Sequence, residues 1–253
     1  MIQVKGVHKS YSKIGGGFFK KDKLHVLKGI DFEIEEGQCI GLIGESGSGK
    51  STLSRLILGL EKPNEGSITI EGKSVKSWIK ENPGKMTVVF QDYTSSANPK
   101  FTIKQVIAEP LVALRQTGNL DNVVVELLEK VGLSANLIHR YPHELSGGQL
   151  QRVCIARAIA TKPKILVLDE AISALDVSIQ AQVLDLLKDL KKELDMTYLF
   201  IAHDLQAVAN LCDEVLFLYQ GNIVEKISSD RLAFAENEYA QRLLNSVIPF
   251  KIS

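Results

Sequence analysis

The sequence predicts an α/β fold, a parallel sheet with crossover helices into which a helical segment is inserted. Three observations predict it. Short apolar runs at 39–43 and 165–168 have the length of buried strands, and amphipathic helical segments alternate with such runs. A glycine-rich turn follows the first run and leads into a helical segment. From about 103 to 131, apolar residues recur at three and four, the spacing of one helix face.

Taken in order, residues 2–10 and 30–34 alternate as strands. Between them, 12–23 carries Gly15-Gly16-Gly17 and several lysines and reads as a loop, with Phe18 and Phe19 expected to anchor it locally on the surface. Residues 39–43 form a strand, 50–60 a helix, and 67–70 and 86–90 two further strands. Ile103, Val106, Ile107, Leu111 and Leu114 mark one helix face, and Val124, Leu127, Leu128 and Val131 a second. Pro110 is expected to kink or restart the first of these helices. After Gly147 a mostly apolar helix runs to about Thr161, and 165–168 is a buried strand. Ile179, Val183, Leu186, Leu187, Leu190 and Leu194 then mark a long helix. Strands follow at 198–202 and 215–219, and Gln220-Gly221-Asn222 turns into 223–225 as a hairpin.

A length of 253 residues fits one large domain with room for a subdomain. Lys plus Arg and Asp plus Glu each number 30, so the formal net charge is zero and nothing electrostatic points to nucleic acid. The apolar runs fall short of the ~20 residues that span a bilayer. The polar-alternating start is not a signal peptide, so the expectation is a cytoplasmic protein, soluble or peripheral. Cys39, Cys154 and Cys212 are widely spaced in apolar stretches and read as buried free thiols. His139 and His143 sit four apart, but Pro142 interrupts any helix between them and no carboxylate or thiolate completes a metal site.

The run Gly44-Glu45-Ser46-Gly47-Ser48-Gly49-Lys50-Ser51, with Thr52 next, fits the phosphate-loop pattern without substitution. Glycines let backbone N–H groups close round phosphates, and the helix beginning near Lys50 adds its positive end. Lys50 would reach the β and γ phosphates of ATP, and Ser51 would ligate Mg²⁺. A bare glycine-rich surface turn would lack the apolar strand before it and the helix after it. Asp169 and Glu170 end the run 165–168, where ligands gather in open α/β sheets. Asp169 is assigned to the metal and Glu170 to the attacking water. Without the phosphate loop, the pair would read as an ordinary strand ending in surface charge.

Leu145-Ser146-Gly147-Gly148-Gln149 matches the signature of ABC ATPases and stands just before the acidic strand, so the chain resembles that family from Tyr11 to about Pro249. The resemblance implies a P-loop NTPase core with an antiparallel β subdomain, an inserted α-helical subdomain at about 92–160 and a short tail at about 228–253. It implies that Tyr11 stacks on adenine and that Gln91 senses Mg²⁺ and the γ phosphate. Ser173-Ala174-Leu175-Asp176 matches the D-loop, and His203 the switch histidine that contacts the γ phosphate. Ser146, Gly147, Gly148 and Gln149 would bind the ATP of a second ABC ATPase subunit in a head-to-tail dimer, a heterodimer by preference, with a homodimer as the alternative. Two transmembrane permease subunits, and indirectly an extracytoplasmic solute-binding protein, complete the implied assembly at the cytoplasmic face of the membrane. One departure is visible: Ala171-Ile172 stands where many members have Pro-Thr.

Val89-Phe90-Gln91-Asp92, Ala97-Asn98-Pro99, Glu109-Pro110-Leu111 and Tyr141-Pro142-His143-Glu144 resemble the peptide and nickel importer branch. The run from Glu238-Tyr239-Ala240-Gln241 resembles that branch's tail, with Asn237-Glu238-Tyr239 in place of the usual His-Pro-Tyr. Gly148-Gln149-Leu150-Gln151-Arg152-Val153-Cys154 and Asp169-Glu170-Ala171 look closest to the nickel-type second ATPase subunit. The expectation is import of nickel or another transition metal held by a small metallophore, with oligopeptide import as the alternative. A GTPase is disfavoured by the missing Asn-Lys-x-Asp motif, and a DNA-repair or translation ABC protein by the lack of tandem cassettes or a coiled-coil insertion.

Overall fold

The computed structural model describes residues 1–12, 23–173 and 175–247. Most of the expected loop at 12–23, including Phe18 and Phe19, lies outside the described residues, as does Ala174. In chain order the elements begin with β1 (Ile2–Ser12), β2 (Lys23–Ile34), β3 (Cys39–Ile43), α1 (Lys50–Ile57), β4 (Glu65–Ile70), β5 (Lys73–Ser74) and α2 (Val75–Glu81). There follow β6 (Met86–Phe90), α3 (Tyr93–Ser96), α4 (Ile103–Ala113), α5 (Leu120–Lys130), α6 (Gly147–Ile159), β7 (Ile165–Asp169) and α7 (Val177–Leu194). The chain closes with β8 (Thr197–Ala202), α8 (Leu205–Leu211), β9 (Glu214–Tyr219), β10 (Asn222–Ser228) and α9 (Glu238–Val247).

The chain divides into two compact units, residues 1–81 with 200–253, and residues 82–199. In the first, β2, β1, β4 and β5 form an antiparallel sheet. Ile2 pairs with both Ile34 and Ile70, and Val4 with both Phe32 and Ile68, and all six are buried. Period-two alternation thus gathers one apolar face. The same unit contains β3 parallel to β9, with Ile43 opposite Phe217, and the expected hairpin of β9 and β10. Phe217 is 0% exposed, and Phe217→Ala is expected to cost about 3–5 kcal/mol, read as a lowered urea unfolding midpoint.

In the second unit β6 runs parallel to β7, with Val88 opposite Val167 and Phe90 opposite Asp169. The first four residues of β7 are all buried, as strands covered on both faces are. Helices α4, α5 and α6 pack on one another through Val106, Ile107, Val124, Leu128 and Val153, each 0% exposed. The helix expected at 50–60 ends sooner, because Gly59 turns the chain with φ 70°. The restart expected at Pro110 does not occur: α4 continues through it to Ala113. A reciprocal Thr102–Gln105 cap starts this helix, and buried Ile107 and Leu111 hold it on either side of the proline.

Cys39, Cys154 and Cys212 are buried thiols outside any disulfide. Cys39 and Cys212 lie with their sulfurs 3.3 Å apart, and burial pushes the Cys154 thiol up to about 11. No helix among the described residues is long and apolar enough to cross a membrane.

Candidate functional site

The first unit holds Tyr11, the loop from Gly44 to Thr52, and His203. The buried strand β3 delivers the chain into the loop, and α1 begins at Lys50. Gly44 is fixed by crowding: a Cβ there would lie 2.2 Å from the Leu218 carbonyl oxygen and 2.7 Å from Ser48 Oγ. Gly49 caps α1 with φ 115°, a backbone that side-chain-bearing residues rarely adopt. Lys50 is 5% exposed, and its ammonium donates to the carbonyls of Gly44 at 2.6 Å and Glu45 at 3.0 Å. Ser48 and Thr52 are buried beside it, whereas Glu45, Ser46, Gly47 and Ser51 are exposed. Gly221 N–H donates to the Ser48 carbonyl at 3.1 Å and ties the loop to the β9–β10 turn.

Tyr11 is the penultimate residue of β1 and is half-buried. Its hydroxyl donates to Glu61 Oε2 at 2.7 Å, and Lys9 Nζ lies 5.1 Å from its ring centroid. Lys9 also pairs with Glu61 at 2.9 Å. The Tyr11 hydrogen bond, then Lys9, hold the Glu61 carboxyl below its ordinary range despite partial desolvation. His203 is exposed and follows directly on β8, and Asp204 next to it caps α8 by accepting from Gln206 N–H at 2.8 Å.

The second unit holds Gln91, Asp169, Glu170 and the signature residues. The parallel register that sets Phe90 opposite Asp169 brings the ends of β6 and β7 side by side. Gln91 Nε2 donates to Ser173 Oγ at 3.3 Å, and that hydroxyl donates to the Glu170 carbonyl at 2.9 Å. Asp169 and Glu170 are half-buried, and Glu170 has φ 53°. A left-handed backbone at a residue with a side chain costs of order 1–3 kcal/mol and persists where the surroundings hold it. Hydrogen bonds from the Thr94 hydroxyl and the Ser95 amide pull the exposed Asp92 carboxyl, beside Gln91, down to about 2. Gln180 Nε2 donates to the carbonyls of Ile172 and Leu175 at 3.1 and 3.0 Å, so the loop that carries Ala171-Ile172 is braced from α7.

Ser146 caps α6: its hydroxyl accepts Gln149 N–H at 3.3 Å, and Gln149 Oε1 accepts Ser146 N–H at 3.0 Å. Gly147 and Gly148 form the first turn of α6, so the helix expected after Gly147 begins one residue sooner. Their amides belong to the set that a helix leaves without internal acceptors. His139 ends one short turn and His143 stands in the next, stacked on Tyr141 at 5.8 Å.

Glu61 and Gln180 escape motif reading, and Ser173 and Tyr239 stand in recognised runs that give their hydroxyls no role. The Tyr239 hydroxyl oxygen accepts Glu45 N–H at 2.9 Å. Its one signal in the sequence is its place in the tail run that begins at Glu238.

The loop fits a nucleotide triphosphate. Gly44 leaves a cradle that a Cβ would close, Ser48 Oγ is buried with its hydrogen-bonding capacity unmet, and a buried ammonium stands at the head of a helix. Ser51, Gln91 and Asp169 have the oxygen donors that Mg²⁺ prefers.

Comparison with known proteins agrees with this geometry. Residues 27–173 match the ABC transporter family. The metal-staphylopine import system ATP-binding protein CntF of Staphylococcus aureus (strain NCTC 8325 / PS 47) is 43% identical over 99% of this chain and 100% of its own length. The oligopeptide transport ATP-binding protein OppF of Haemophilus influenzae is 44% identical over 91% of this chain and 72% of its own. A dimeric ATP-binding cassette in a post-hydrolysis state with ADP and phosphate superimposes with TM-score 0.79 at 29% identity, covering 90% of this chain and 99% of that one. The fold, the phosphate loop and these likenesses together place the chain in the ABC transporter family, as an ABC ATPase.

Proposed function

We propose that this ATPase powers import of nickel or another transition metal, carried as a complex with a small chelating metallophore. The observation that carries the motor role is the loop itself, in which the buried Lys50 ammonium is held by the Gly44 and Glu45 carbonyls and Gly44 packs too closely on the Leu218 carbonyl to bear a side chain. The cargo reading is supported by likeness to a metal-staphylopine import ATPase along the full length of both chains. The run at 148–154 and Ala171 after Glu170 support it as well.

Tyr11 stacks on the adenine. The loop N–H groups and Lys50 hold the phosphates, and the Ser146–Gln149 end of a second ABC ATPase subunit covers them from the other side. A heterodimer is preferred. Glu170 orients a water and takes its proton as the water oxygen attacks the γ phosphorus and the bond to ADP breaks. Lys50 and the loop amides stabilise the charge that develops, and His203 contacts the γ phosphate. Ser51, Gln91 and Asp169 would hold Mg²⁺, which when bound draws charge from the phosphate oxygens. Gln91 relays the nucleotide state towards two permease subunits, and an extracytoplasmic binding protein selects the cargo. The chain works at the cytoplasmic face of the membrane.

Oligopeptide import is the second reading, supported by the comparable identity to an oligopeptide transport subunit. Reconstitution with the permeases and the binding protein separates the two. Nickel–chelator complexes are expected to stimulate ATP hydrolysis and oligopeptides to leave it at its basal rate. The reverse pattern replaces the metal reading with the peptide one.

A further inference from the structure

The tail of the chain contributes a side chain to the phosphate loop. Tyr239, in the first turn of α9, is 3% exposed, and its ring stacks on Tyr219 with centroids 4.2 Å apart. Its hydroxyl oxygen accepts the Glu45 N–H at 2.9 Å. That N–H shares a peptide unit with the Gly44 carbonyl, which accepts from Lys50 Nζ at 2.6 Å. One peptide plane is therefore held at both edges, by α9 on one side and by Lys50 on the other.

The tyrosine is itself firmly seated. Asn237 Oδ1 accepts the Tyr239 N–H at 2.9 Å. The Glu225 carboxylate on β10 accepts the N–H groups of Glu236 and Asn237 at 2.9 and 3.0 Å. Gln241 Nε2 donates to the Ala235 carbonyl at 2.9 Å. Burial raises the phenol above its ordinary range, so the hydroxyl keeps its proton at neutral pH.

When Lys50 turns to the phosphates of a nucleotide, the Gly44 carbonyl gives up a bond to that cation. The peptide plane would then be free to rotate unless its other edge were held. We propose that Tyr239 is a positioning residue for the phosphate loop. It locks the Gly44–Glu45 peptide so that Lys50 is handed to the nucleotide from a loop already in its binding shape, and it makes ATP affinity depend on the seating of the C-terminal helix. The proposal rests on the reading of 44–51 as the ATP site. Its energetic basis is preorganisation: a loop that needs no ordering loses less on binding.

Tyr239→Phe keeps the ring and its stack and removes one oxygen. In the full-length chain with its partner subunits, KM for ATP is expected to rise about three- to tenfold, the worth of one neutral hydrogen bond. The Kd of a fluorescent ATP analogue should rise in parallel, with kcat within about twofold of wild type and the thermal midpoint unmoved. Asn237→Ala, which loosens the seat but leaves the hydroxyl, should shift KM in the same direction by less. Unchanged KM and Kd in Tyr239→Phe would overturn the proposal, and so would a fall in kcat and thermal midpoint together, the mark of a merely structural residue. If Tyr239→Phe does not fold, Asn237→Ala decides alone, and an unchanged KM there overturns it. Lys50→Ala separates the two levels: wild-type ATP binding in that variant defeats the phosphate-loop reading and this proposal with it. Lost binding in Lys50→Ala beside an unaltered Tyr239→Phe defeats the positioning role alone.

Discussion

Glu170→Gln is expected to bind ATP about as tightly as the wild type and to hydrolyse it about 10²–10⁴-fold more slowly. The substitution changes one carboxylate oxygen to an amide nitrogen and alters neither size nor backbone. Glutamine cannot take the proton that the attacking water sheds. The backbone that aims this side chain should survive, because its left-handed φ of 53° is held from the main chain: the Glu170 carbonyl accepts both the Ser173 N–H at 3.2 Å and the Ser173 hydroxyl at 2.9 Å. With hydrolysis blocked, ATP stays bound, and subunit pairs should accumulate on size-exclusion chromatography when ATP and Mg²⁺ are present. Turnover at the wild-type rate, assayed with the partner subunit, would remove Glu170 from the water-activating role.

Lys50→Ala should lose nucleotide binding itself. Bonds from a charged donor are each worth about 1.5–3 kcal/mol, so deleting an ammonium that serves two phosphates should weaken ATP binding by about a hundredfold or more. The variant should remain folded. Of the two carbonyls that Lys50 now serves, that of Glu45 belongs to an exposed residue and that of Gly44 is buried, and the shortened side chain leaves room for water to reach both. Isothermal titration with ATP, set beside a thermal melt, reads both statements at once.

Much of the fold was legible because its strands are short apolar runs with clear ends. The strands at 39–43 and 86–90 were read with their observed bounds, since polar or glycine residues stop the apolar run at each end. Helix α8 was not foreseen: its seven residues carry too short a period, and only Asp204 announces its start. Pro110 misled in part, because a local steric rule was outweighed by the burial of Ile107 and Leu111 on both sides of it.

At the site, contiguous motifs were legible and distant supports were not. The loop at 44–51 and the acid pair at 169–170 each lie within one run of sequence. Tyr11 meets Glu61 across 50 positions, and Glu45 meets Tyr239 across 194, and no spacing rule connects residues so far apart. Gln180 likewise reaches the Ile172 and Leu175 carbonyls across eight and five positions, a brace on the loop that no contiguous run announces.

The pairing of β3 with β9 bears on when the phosphate loop can be completed during synthesis. Ile40 stands opposite Glu214, so the strand that feeds the phosphate loop must wait for more than half of the polypeptide before that neighbour exists. Residues 82–199 form one uninterrupted stretch and can gather their own contacts while still emerging from the ribosome, whereas the unit built from 1–81 and 200–253 cannot close until β9 has followed. The nucleotide loop is therefore translated before residues 82–199 and finished only after them.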